Sequence, residues 1–103
     1  MAKQNTFVDE FRNDGRINAR IIDPHTGLTV LNGVYAIRIH SRYFNALIMN
    51  DYLPTIGKIE GNVSLLNKEG ETHYDGIFGF YKFQHNEFTL LLEEYEDSRG
   101  ASE

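Results

Sequence analysis

The chain has 103 residues, of which 41% are hydrophobic and 24% charged, a balance that supports one small globular domain and excludes a disordered chain. It contains no cysteine, which removes disulfide frameworks, thiolate metal sites and thiol nucleophiles. The net charge of −5 is concentrated at one end: residues 17–92 carry six basic and seven acidic groups, whereas the last eleven residues carry one basic and five acidic. A body so close to neutral offers no basic stripe for counterion release, so nucleic acid is not expected as a partner.

Residues 1–16 read as a polar leader. Phe7, Val8 and Phe11 fall at helical spacing behind the candidate caps Asn5 and Thr6, so a short helical turn and an unstructured leader are both open. The leader has no apolar signal region, and no apolar run in the chain approaches the length of a membrane span, so a cytoplasmic location is expected.

From Ile17 the pattern is that of strands. Ile17, Ala19 and Ile21 alternate with Asn18, Arg20 and Ile22, and Asp23-Pro24-His25-Thr26-Gly27 is a turn. Leu28 to Leu31 resumes a strand. Asn32-Gly33 has the composition of a type I′ hairpin, after which Tyr35, Ile37 and Ile39 alternate with Ala36, Arg38 and His40. Ser41 to Tyr43 turn, Phe44 to Met49 are apolar, and Asn50-Asp51-Tyr52-Leu53-Pro54 is a loop stiffened by its proline. Ile59 to Leu65 alternate, Asn67-Lys68-Glu69-Gly70 turn, and Thr72–Tyr74 precede a second break at Asp75-Gly76. Ile77 to Phe83 and Phe88 to Leu92 are joined through His85-Asn86-Glu87. The expectation is all-β: a small antiparallel sandwich or flattened barrel of about eight to ten short strands over 17–94, followed by an acidic, flexible tail over 95–103. Phe78, Phe80, Tyr81, Phe83 and Phe88 are expected to supply much of the core, and Gly79 to mark a bulge or a close backbone approach.

Little here points to catalysis. His25, His40, His73 and His85 have no metal-ligand spacing, and three of them sit beside turns. Asp51, Glu60 and Asp75 read as turn and surface carboxylates rather than an acid–base pair. No nucleophile elbow, phosphate loop or dinucleotide fingerprint is present. An enzyme is not expected, nor is a bound cofactor or metal. The remaining class is a binding module, with Tyr52 at the loop tip as the candidate anchor.

The order of signals from Ile21 to Glu93 resembles the N-terminal sandwich of the epsilon subunit of F-type ATP synthases. Ile21-Ile22-Asp23-Pro24 and Leu28 to Gly33 correspond to the family's opening strand, turn and glycine-bearing strand. Tyr35 to Ile39 correspond to its valine-rich strand, and from Ile39 to Pro54 the spacing matches without a gap. Gly61 to Leu65, Phe78 to Phe83 and Glu87 to Leu91 follow in the family's order. Asn50-Asp51-Tyr52 stand where the family reads Pro-Gly-His, Asn45 where it often has an acid, and Gly79 is the surviving member of its Gly-Gly pair.

The resemblance implies a non-catalytic rotor subunit that couples the gamma subunit to the loops of the membrane c-ring, peripheral to the membrane when assembled. Asn45, Met49, Asn50, Asp51, Tyr52, Leu53 and Pro54 would form the contact segment, and the helical hairpin that usually follows the family's sandwich is not expected here. Met49 is open between this contact and the core. The competing readings are a stand-alone sandwich that binds a small ligand or carbohydrate in a groove lined by Tyr35, Tyr43, Tyr52, Tyr74 and Tyr81, and an enzyme of a small barrel class.

Overall fold

The computed structural model describes residues 15–93. The helical turn considered near Phe7 and the tail expected over 95–103 lie outside the described residues. Six strands account for most of the rest: β1 (Ile17–Asp23), β2 (Gly27–Ser41), β3 (Asn45–Met49), β4 (Thr55–Asn67), β5 (Gly70–Gln84) and β6 (Glu87–Leu92).

The described residues are all-β, as expected, but their strands are fewer and longer than the turn signals imply. Asn32-Gly33 does not close a hairpin. Gly33 takes a left-handed φ of 68° inside β2 and bends it, and β2 changes partners there. Asp75-Gly76 behaves alike: Gly76 has φ 62°, β5 continues through it, and the Gly76 amide donates to Asn62 Oδ1 at 2.9 Å beside the register shift between Gly61 and Val63. Glycine permits these bends without ending the ladder. Two breaks that become bends reduce the expected eight strands to six.

The sheet closes on itself. β1, β2, β4, β5 and β6 pair around a ring, with β1 bonded to both β2 and β6, and β3 is an extra strand attached to β2. One edge of β2 is shared: Gly27–Val34 face β1, and Ala36–His40 face β3. The expected arrangement was antiparallel throughout, yet β1 and β6 run parallel, Asn18 opposite Glu87 through Ile22 opposite Leu91. An odd number of strands in an up-and-down ring brings first and last together in the same direction. Outside the ring, the five-residue β3 pairs on one side alone, with β2, and is an edge strand.

A barrel this narrow is filled by its own side chains. Ile17, Ile21, Ile37, Ile39, Ile48, Ile59, Phe83, Phe88 and Leu90 are fully buried. Tyr81 and Phe88 have ring centroids 6.0 Å apart, and Phe44 lies 6.1 Å from Tyr81. Phe78 and Phe80, expected in the core, are instead 40% and 44% exposed. Strand alternation sends Ile77, Gly79, Tyr81 and Phe83 inward, which turns the two phenylalanines outward. Gly79 is a close approach and not a bulge: a Cβ there would sit 2.5 Å from the Leu91 carbonyl oxygen.

Candidate functional site

The β3–β4 loop, 50–54, sits at one end of the barrel and is held by side chains from two other segments. Asp51 has φ 65°, a left-handed conformation that Asp tolerates better than most residues. Its amide donates to Asn86 Oδ1 at 2.7 Å, and the Asn86 side-chain amide donates back to Asp51 Oδ1 at 3.0 Å. Arg16 Nη2 meets Asp51 Oδ2 at 2.8 Å, and the Arg16 amide donates to Asn50 Oδ1 at 3.0 Å. The Tyr52 amide donates to the Met49 carbonyl at 3.1 Å.

Asn86 can do this because His85 and Asn86 form the tight β5–β6 turn with φ of 52° and 60°, and its carbonyl accepts from the Asn18 amide at 2.9 Å. The entry to β1, the β3–β4 loop and the β5–β6 turn are thus tied into one unit. The Arg16–Asp51 pair is exposed and contributes under about 1 kcal/mol. Its effect is to fix the loop's geometry and to cancel its one charge.

The tip left outward is uncharged and apolar. Tyr52 is 42% exposed, with its ring edge-on to the buried Phe83 at 6.3 Å, so it both covers the barrel end and presents a face to solvent. Leu53 is 75% exposed and Ile56, at the start of β4, 74%. Pro54 is exposed between them. A shallow groove of about 230 Å³ lined by Pro54, Ile56, Lys82 and Phe83 adjoins this tip. Large aliphatic side chains held this far into solvent on a fixed loop are typical of contact surfaces.

The structure joins Asn50, Asp51, Tyr52, Leu53 and Pro54 in this tip and leaves Met49 half-buried at its base. Asn45 is not brought to it. Asn45 opens β3 at the other end, about 13 Å from Met49 by strand rise, where its Oδ1 is 3.3 Å from His40 Nδ1. Arg16 and Asn86 are the residues that sequence reasoning missed. Asn86 in a two-residue turn was a local signal for φ above zero, but nothing local pairs it with Asp51, thirty-five positions away.

The five tyrosines of the ligand-groove reading do not line one surface. Tyr43 and Tyr81 share a groove of about 440 Å³ with Phe44, Ile56 and Lys58, but only Tyr43 is well exposed there, and the Tyr81 hydroxyl is 3.1 Å from Thr55 Oγ1. Tyr52 is at the barrel end. Tyr74 packs against the core, and burial raises its phenol pKa; the Asp23 carboxylate adds to the rise and a Thr29 hydrogen bond opposes it. Among the described residues no group of three His, Asp or Glu side chains is placed to hold a metal ion.

Comparison with known proteins returns no match, either to a protein-family model or to a curated protein.

Proposed function

We propose that this chain is a non-catalytic interaction module that docks a protein partner through the apolar end-loop tip, and that it serves as an epsilon-like rotor subunit whose partners are the gamma subunit and the c-ring loops. The observation that carries the reading is the rigid presentation of Tyr52, Leu53 and Pro54 by Arg16, Asp51 and Asn86. A segment fixed before binding loses little conformational freedom on docking, which favours affinity and stiffness together. Torque transfer needs that stiffness, and a closed barrel with a packed interior has few soft modes. The partners are inferred from the matching spacing over Ile39 to Pro54, not from the strand count, which is lower than the turn signals imply.

The test substitutes the tip without touching its supports. Leu53→Asp places a charge at the centre of the proposed contact and leaves the core untouched. Complex formation with the gamma subunit is expected to fall by about a hundredfold or more, with the melting temperature unchanged. Equal binding by the variant would remove the tip from the interface.

A further inference from the structure

The outer wall of the barrel carries a second surface, which meets the end-loop tip at Ile56 and Lys82 and is read independently of the rotor assignment. Cross-strand register arranges it in rows. One row runs Leu28, Ile22, Leu91, Phe80, Lys58 across β2, β1, β6, β5 and β4. The next, toward the end loop, runs Val30, Arg20, Thr89, Lys82, Ile56. Outward positions of a solvated barrel are usually polar, yet six of these ten side chains are large and apolar, and all six are exposed. The rows hold three cations and no acid. Arg20, Lys58 and Lys82 make no ion pair with any described residue.

The row on the far side has the opposite sign. Phe78 lies opposite Glu60 on β4, and its carbonyl accepts from the Glu93 amide at 2.9 Å. Glu60 is shared with Arg42 at 3.3 Å and the Tyr43 hydroxyl at 3.0 Å, whereas Glu93 has no ion pair with a described residue. Along β5 the outward order is therefore Phe78 between two acids, Phe80 between Leu91 and Lys58, then Lys82 between Thr89 and Ile56. Between Phe80, Leu91, Lys82 and Ile56 the wall dips into an almost wholly apolar groove of about 460 Å³.

We propose that the β5–β6 side of this wall is the interface of a two-fold homodimer. A surface with an apolar centre, cations at one end and acids at the other is its own complement when turned about an axis along the central row. That rotation lays β5 on β5 and β6 on β6 in opposite directions. Phe80 and Leu91 then meet their equivalents, and Lys82 lands over the partner's Phe78, between the partner's Glu60 and the partner's Glu93. Each Lys82 gains two acids and an aromatic face, and Phe80 and Leu91 of both copies leave water; Lys58 meets its own equivalent at the margin of the contact, and Leu28 and Ile22 lie farther round the ring, outside it. Adjacent rows are about 7 Å apart, so the centre and both charged ends fit within three rows.

Sedimentation equilibrium of the full chain, from low to high micromolar, tests the proposal. The expected result is a concentration-dependent dimer that weakens as salt is raised. Phe80→Asp, at an outward position, is expected to give a monomer with unchanged thermal melting. Lys82→Glu and Glu93→Lys are each expected to weaken the dimer by about tenfold or more. The double variant Lys82→Glu/Glu93→Lys restores pairing across the axis and is expected to recover most of that loss, which a general loss of folding would not do. A chain monomeric throughout, or a dimer indifferent to Phe80→Asp, overturns the proposal. A monomer that still binds the gamma subunit removes the dimer alone; a dimer that ignores the gamma subunit removes the rotor reading alone.

Discussion

Asn86 and Asp51 exchange hydrogen bonds in both directions, so a single truncation at Asn86 removes both of its ties to the end loop and leaves the loop held from Arg16 alone among the two outside segments. Asn86→Ala is expected to cost about 1–2 kcal/mol from the lost bonds and the less favourable left-handed backbone. Asn86→Gly retains the turn conformation and loses only the side-chain bonds. If the tie to Asp51 is what holds the loop, hydrogen exchange at the Asp51 amide accelerates in both variants, while global stability falls further in the alanine one. Protection at Asp51 that survives both substitutions would assign the loop's order to Arg16 and Pro54 instead. Tyr74 provides a pH-dependent counterpart. Its folded-state pKa lies above the unfolded value, chiefly through burial, so the folded state holds the phenolic proton more tightly. The associated stability is fully present below a pH of about 10 and declines as pH rises through the folded-state value. Tyr74→Phe should therefore show a shallower loss of stability than the parent between neutral pH and the alkaline range in urea unfolding; parallel curves would contradict the assignment.

At the scale of the strands, most of the fold was legible, and the misreadings share a cause. The alternation of Ile17, Ala19 and Ile21, and of Ile59, Val63 and Leu65, identified strands and their buried faces, whereas Tyr35 is half-buried and Ala36 buried at the register shift between Val34 and Ala36. Asp23 behaved as its position suggested, accepting from the His25 amide at 2.7 Å at the β1–β2 turn. Asn32-Gly33 and Asp75-Gly76 have the same composition as hairpin turns, but a glycine with φ above zero can equally bend a strand that keeps its ladder. Only the partner strands decide between the two, and those lie far away in sequence. The outward placement of Phe78 and Phe80 was readable by parity from Tyr81 and Phe83, and an expectation built on aromatic content alone overrode it. The parallel β1–β6 closure was not readable, because it depends on the number of strands in the ring. Gly79 links these elements: an added Cβ meets the Leu91 backbone, not a movable side chain. Gly79→Ala is expected to destabilise by about 2 kcal/mol or more through displacement of β6 from β5. A melting temperature within a degree of the parent would show that the two strands can separate there at no cost.

Over the whole molecule, the two exposed surfaces have different origins. The end-loop tip was visible in the sequence as a proline-stiffened loop with a tyrosine, although its anchors were not. The outer wall was invisible, because its rows assemble from five strands whose register the sequence does not state. Tyr52 separates docking from folding. Its ring covers Phe83 with one edge, a contact worth about 0.5–1.5 kcal/mol, so Tyr52→Ala is expected to lower the melting temperature by only a few degrees. Assembly with a partner is expected to suffer far more, since truncation of a central aromatic commonly costs about 2 kcal/mol or more of binding. The most direct measurement is co-purification of the chain with the gamma subunit from the same source, followed by size-exclusion chromatography. A stable complex is expected, and Tyr52→Ala and Leu53→Asp are expected to disrupt it. Separate elution of the two proteins at tens of micromolar would contradict the rotor reading.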